Sequence, residues 1–140
     1  MTKHTKHDTT NYKALKPFFE AVDKAGGHAH FTAPGYMDLV IEKLWYSDIY
    51  VNPVYSVAHY GEQNGDLMRD PDMELSVDDS EKRIMPLTWR NDYVGRFDQV
   101  FIKRNGKNLF SQRLLTDLDH FLWMWGKNII EQGFRPDQIG

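Results

Sequence analysis

Asn64-Gly65 demands a tight reversal of the chain, because both central positions of a type I′ turn need positive φ and this dipeptide supplies them. The flanking residues, His59 to Glu74, are dense in charge: a histidine, an arginine and several acids, with an Asp70-Pro71 step before Asp72. Fixing the turn fixes a register. Gln63 faces Asp66, Glu62 faces Leu67, Gly61 faces Met68, Tyr60 faces Arg69 and His59 faces Asp70. Alternation then puts His59, Gln63, Asp66 and Asp70 on one face, and Tyr60, Glu62 and Arg69 on the other. The acids Glu62, Asp66, Asp70, Glu74 and Asp78 also recur at helical spacing, but Gly61, Gly65 and Pro71 oppose a helix there.

Two chemistries fit this register. His59 hydrogen-bonded to Asp70 makes an oriented general base. Asp66, Asp70, Asp72 and Glu74 are oxygen ligands of the kind that hold Mg²⁺ or Mn²⁺, and such an ion beside His59 gives a metal-dependent phosphoesterase acting on nucleic acid. On the other face Arg69 can stack on Tyr60 and reach Glu62, which reads as a binding surface. The plainer alternative is a twisted hairpin with cross-strand ion pairs, ended by the Asp70-Pro71-Asp72 bend. Asn91-Asp92-Tyr93 before Gly95 is a second polar cluster, or simple turn chemistry. Arg96, Lys103, Arg104, Lys107 and Arg113 form a modest basic group that can meet phosphates or stand as a solvated face.

Around the hairpin the pattern is helix, strands, helix. Tyr12, Leu15, Phe18, Phe19 and Val22 form an apolar stripe that predicts a helix over Thr10–Lys24, capped by Thr10 or Asn11 and ended by Gly26-Gly27; Pro17 interrupts it. Strands are expected over Met37–Tyr46, Val54–Tyr60, the alternating Met73, Leu75, Val77 stretch, Ile84–Trp89 and Arg96–Lys103, with a loop closed by Asn105-Gly106. Leu114, Leu118, Phe121, Leu122, Trp125 and Ile129 predict a second helix over Ser111–Gln132, stopped by Gly133 with Phe134 packing back. Trp123 lies off that stripe and is a candidate interface residue. The fold class is therefore α+β: an antiparallel sheet of about five or six strands, with an N-terminal and a C-terminal helix packed on one face. Residues 1–9, with His4 and His7, read as a disordered polar tail, and residues 10–140 as a single domain.

Composition narrows function by exclusion. With 17 basic and 20 acidic residues the net charge is −3, which disfavours a surface given over entirely to nucleic-acid phosphates. There is no cysteine, hence no disulfide and no thiolate metal site. The polar start is no signal peptide and no run is apolar enough to span a membrane, so a cytoplasmic protein is expected. No phosphate-binding loop, dinucleotide fingerprint, His-Glu-x-x-His or Gly-x-Ser-x-Gly occurs.

Four blocks carry a family resemblance: Pro34-Gly35-Tyr36-Met37 through Glu42; His59 through Met73; Pro86 with Asn91-Asp92-Tyr93 and Gly95; and Phe121-Leu122, Trp125, Asn128 and Gln132-Gly133-Phe134. On these the chain resembles a family of uncharacterised small domains encoded on bacterial conjugative elements, plasmids and phages. The resemblance implies a cytoplasmic accessory protein of a mobile genetic element and transfers no catalytic residues. The expected role is a binding module for a protein or nucleic-acid partner, anchored by Tyr60, Arg69 and Trp123, with Glu62, Asn91 and Asp92 beside them.

Overall fold

A computed structural model describes residues 4–140. Helix α1 (Asp8–Lys24) is followed by strands β1 (His28–Phe31), β2 (Leu39–Ser47), β3 (Pro53–Gln63), β4 (Asp66–Asp78), β5 (Arg83–Asn91) and β6 (Arg96–Gln99). Then come β7 (Phe101–Arg104), β8 (Lys107–Phe110) and helix α2 (Gln112–Glu131). Strands β1 to β6 form one antiparallel sheet in sequence order, and β7 with β8 forms a separate two-stranded ribbon. The α+β class and the six-stranded sheet are as the pattern predicts.

Both helices lie on the same face of the sheet. Tyr55, Val57 and His59 of β3 point towards them, Tyr55 against Phe19 of α1 and His59 against Trp125 of α2. Leu39, Ile41, Met73, Leu75 and Ile84 share that face, and each is fully buried beneath Leu15, Phe19, Leu115, Leu122 and Ile129 of the helices. Burying a side chain of this size stabilises by roughly 1.5–3 kcal/mol, so the common face of the two stripes is what holds the layers together. Both helices end in the same way. Gly27 N–H reaches Val22 O beyond Gly26 (φ 90°), and Phe134 N–H reaches Ile129 O beyond Gly133 (φ 97°). Phe134 is buried, as the apolar residue after such a stop should be.

The observed boundaries depart from the sequence pattern most at the start of α1 and after β6. Helix α1 begins at Asp8, and residues 5–9 do not hang free: Thr5 Oγ1 and His7 N donate to the Asp119 carboxylate at 2.7 and 2.9 Å. A side chain far along the chain satisfies those donors, which local composition cannot reveal. Residues 1–3 of the expected tail lie outside the described residues. The strand expected over Arg96–Lys103 breaks at Val100, whose N–H goes to Leu87 O while its carbonyl accepts from Ser111 N, so the chain leaves the main sheet there. Pro71 and Pro86 sit inside strands at register shifts, where a missing ladder donor does no harm. Residues 138–140 run along the outer edge of β1, with Thr32 N–H donating to Gln138 O and Gly140 N–H to His30 O. No described helix is long and apolar enough to cross a membrane.

Candidate functional site: the helix-free face of the sheet

The hairpin turns where predicted, with Asn64 at φ 52° and Gly65 at φ 85°. The predicted pairs from Gln63↔Asp66 to Tyr60↔Arg69 are all present. One rung further the register shifts, because Ala58 pairs with Asp72: Asp70 and Pro71 together oppose the single residue His59. The expected His59–Asp70 hydrogen bond is therefore replaced. His59 sits under α2 between Trp125 and Phe134, with ring centroids 5.6 and 5.5 Å away, and its Nδ1 is 3.2 Å from the Asp38 carbonyl. Burial holds its pKa below the usual histidine value, against the opposing pull of the Asp38 and Met37 backbone and of the Asp70 charge. A neutral imidazole donating to Asp38 ties β3 to the loop before β2; it faces the core and away from the polar surface.

Asp70 accepts instead from Asn91 Nδ2 at 2.7 Å. Beside it Arg69 and Asp92 close a double link. Arg69 N and Nε both donate to Asp92 Oδ2 at 2.8 Å, and Asp92 N donates back to Arg69 O at 2.9 Å. The expected reach of Arg69 to Glu62 gives way to this pair of donors on one oxygen, which holds the Asp92 carboxyl below the usual carboxylate range. Glu62 is exposed. Tyr93 then lies over Gly61 so closely that a β-carbon there would clash with its hydroxyl. The two polar motifs read separately in the sequence are thus one assembly, in which the β5–β6 turn is buttoned onto the β3–β4 hairpin.

Tyr60, Asp72, Glu74 and Arg90 alternate with core residues and so face away from the helices. Arg90 lies over the Phe97 ring at 3.9 Å. Tyr46 at the end of β2 donates its hydroxyl to Glu74, and Ser76 donates to Asp48 in the β2–β3 loop. Between that loop and β6 a groove of about 240 Å³ opens, lined among others by Tyr46, Asp48, Glu74, Phe97, Gln99 and Phe101. Asp72 lies beside it with Oδ1 buried and without a hydrogen-bond donor among the described residues. Its pKa is pushed up to about 6, first by burial and then by the neighbouring Glu74 charge, with Arg69 and Arg90 opposing. The groove carried no recognisable sequence signal, since its lining comes from four separate stretches, 46–49, 74, 87–88 and 97–101.

The remaining candidates separate. Asp66 is exposed beside the turn. Among the described residues no group of three or more His, Asp or Glu side chains is placed to hold a metal ion, and His59 lies across the sheet from Asp72 and Glu74. Trp123 is on α2, stacked on His7 at 4.4 Å with Lys127 over its ring, away from Tyr60 and Arg69.

The raised Asp72 pKa has a sign that can be tested. The unfolded carboxyl ionises near its ordinary 3.8 and the folded one only near about 6. Asp72 therefore takes stability away as pH rises between those values, and the full cost stands above them. Asp72→Asn is expected to raise unfolding free energy by about 1–3 kcal/mol at pH 7.5 and to change nothing near pH 4. Thermal melts at the two pH values check this; equal gains at both, or none at either, contradict it.

No curated protein and no solved structure matches the chain. A domain family matches residues 10–135, nearly the whole length, and on that span the chain belongs to the family described as Domain of unknown function (DUF6908).

Proposed function

We propose that this chain is a non-enzymatic accessory module of a mobile genetic element, acting in the cytoplasm, and that it seats a protein partner on the helix-free face of its sheet. The observation that carries the reading is the groove between the β2–β3 loop and β6. It combines the aromatic rings of Tyr46, Phe97 and Phe101 with the carboxylates of Asp48 and Glu74. Aromatic side chains framed by charge are the composition of interface hot spots. Carboxylates in the groove repel phosphate, which favours a protein over a nucleic acid at this surface. The mobile-element setting is supported by the residue blocks set out above. Arg69 and Asp92 act here as the brace that positions the β5–β6 turn, and Tyr60 borders the contact surface.

Photo-crosslinking in producing cells tests it. A benzoylphenylalanine at position 97 should trap a discrete protein adduct, while one at the exposed Met124 on α2 should not. Adding Glu74→Arg should weaken capture at least about 30-fold, the scale of a hot-spot loss. Equal capture at both positions, or capture indifferent to Glu74→Arg in a folded variant, overturns the reading.

A further inference from the structure

The β7–β8 ribbon carries a second, independent surface. Between Asp98 and Asp117 every charged side chain is cationic, namely Lys103, Arg104, Lys107 and Arg113, in a chain whose net charge is −3. The fold gathers three of them at the tip of one hairpin, Arg104 and Lys107 on one face and Lys103 on the other. Its two strands pair with each other in a sheet of their own. Its root is the Phe101–Phe110 pair, with ring centroids 5.2 Å apart and packed against the core, while residues 103–109 are all exposed. Lys103 pairs with Asn108, and Arg104 pairs with Lys107 on the last rung before the turn. That turn is Asn105-Gly106, with φ 52° and 75°, so the tip is a tight, defined reversal.

Like charges directly opposite each other across a ladder destabilise it. Arg104 and Lys107 are in that position, and among the described residues neither they nor Lys103 has a carboxylate within ion-pair reach. Most other cations of the main sheet do: Lys43 has Asp23, Arg69 has Asp92, Arg83 has Asp8 and Arg96 has Asp98, while Arg90 lies over the Phe97 ring. A bound anion removes the repulsion at the tip. A narrow projection with several adjacent cations matches a polyanion better than a single small ion. A two-stranded ribbon also fits the major groove, which is about 12 Å wide.

We infer that the ribbon tip contacts the phosphodiester backbone of duplex DNA through Lys103, Arg104 and Lys107, with Asn105 and Asn108 as neutral hydrogen-bonding groups beside them. The tip, Lys-Arg-Asn-Gly-Lys-Asn, has no apolar residue, whereas a membrane-seeking surface needs an apolar face to bury. Ile102 and Leu109 lie one rung nearer the root. Contacts of this kind release condensed counterions, give affinity without sequence preference and weaken steeply with salt.

Fluorescence anisotropy of a labelled, arbitrary-sequence DNA duplex, titrated with the full chain over a series of salt concentrations, tests the inference. The logarithm of the association constant is expected to fall with the logarithm of salt at a slope of about −3, one contact for each of three cations. The Lys103→Gln/Arg104→Gln/Lys107→Gln variant should lose at least about tenfold in affinity at low salt, with a slope near zero. Its melting temperature should not fall below the parent's, because the tip is exposed and the substitutions relieve the Arg104–Lys107 repulsion. A control, Lys13→Gln/Lys24→Gln on α1, should bind as the parent does. No binding at low salt, undiminished binding by the triple variant, equal loss in the control, or stronger binding to phosphatidylserine vesicles than to DNA overturns the inference.

Discussion

Arg83→Ala is expected to lower the unfolding free energy by about 3–5 kcal/mol, one of the two largest single losses anticipated in this chain. Arg83 opens β5, and its Nη1 lies 3.3 Å from Oδ2 of Asp8, the first residue of α1. The two side chains are only 5% and 9% exposed. A pair so dry owes its attraction to the loss of water, and the same dryness makes either charge costly alone. Removing the guanidinium leaves the buried Asp8 carboxylate without its cation at the junction of helix and sheet, with the Thr5 N–H still donating to it at 3.1 Å. The Glu81 contact of Arg83, at 2.5 Å, is lost as well but is half in solvent and adds little. A melting temperature lower by about 10 °C or more is the expected readout. The double variant Asp8→Asn/Arg83→Met should recover most of the loss, because it removes the charge together with its partner. If Arg83→Ala stays within about 1 kcal/mol of the parent, the pair does not clamp α1 to the sheet.

Asp119→Ala comes next. Asp119 is 2% exposed, and its carboxylate gathers the Thr5 hydroxyl, the His7 N–H and the Asn11 amide, which lies at 3.5 Å from Oδ1. Alanine leaves these donors without their acceptor where water has little access, a loss of about 2–4 kcal/mol. The effect should also be local. Trypsin cleavage after the exposed Lys6 should accelerate by about tenfold or more, as the segment lifts from α2 and the His7–Trp123 stack opens. Asp119→Asn retains one acceptor oxygen and should fall between parent and alanine. Unchanged proteolysis in the alanine variant shows that the segment is held by something else.

The legible part of this fold was the part written in local chemistry. Asn64-Gly65 dictated a turn and, through it, the cross-strand pairs as far as Tyr60↔Arg69. The stripe from Leu114 to Ile129 marked a helix and its buried face, and Gly133-Phe134 marked its end. The reading failed one rung beyond Arg69, since Pro71 cannot donate to the ladder and the chain absorbs it as a bulge rather than ending the strand. That single extra residue denies His59 its hydrogen bond to Asp70, which accepts from Asn91 instead while His59 turns to the Asp38 carbonyl and the core. Trp123 was placed correctly off the apolar stripe, but its partner, His7, lies on a segment that composition marks as tail. The buried charges Asp8, Arg83 and Asp119 look like ordinary surface residues in the sequence; only their pairing across the fold accounts for them. The groove by Glu74 is assembled from several strands and a loop, and no window of the sequence contains it.

The meander order of the six strands has a kinetic consequence. Each strand docks on the one synthesised just before it, so assembly can proceed by successive hairpins with small loops to close. Distant partners meet chiefly when α1 reaches β5, when α2 settles on the sheet and when residues 138–140 zip onto β1. The sheet should accordingly gain order early and rapidly in refolding, with burial of Trp125 marking the slower, final consolidation.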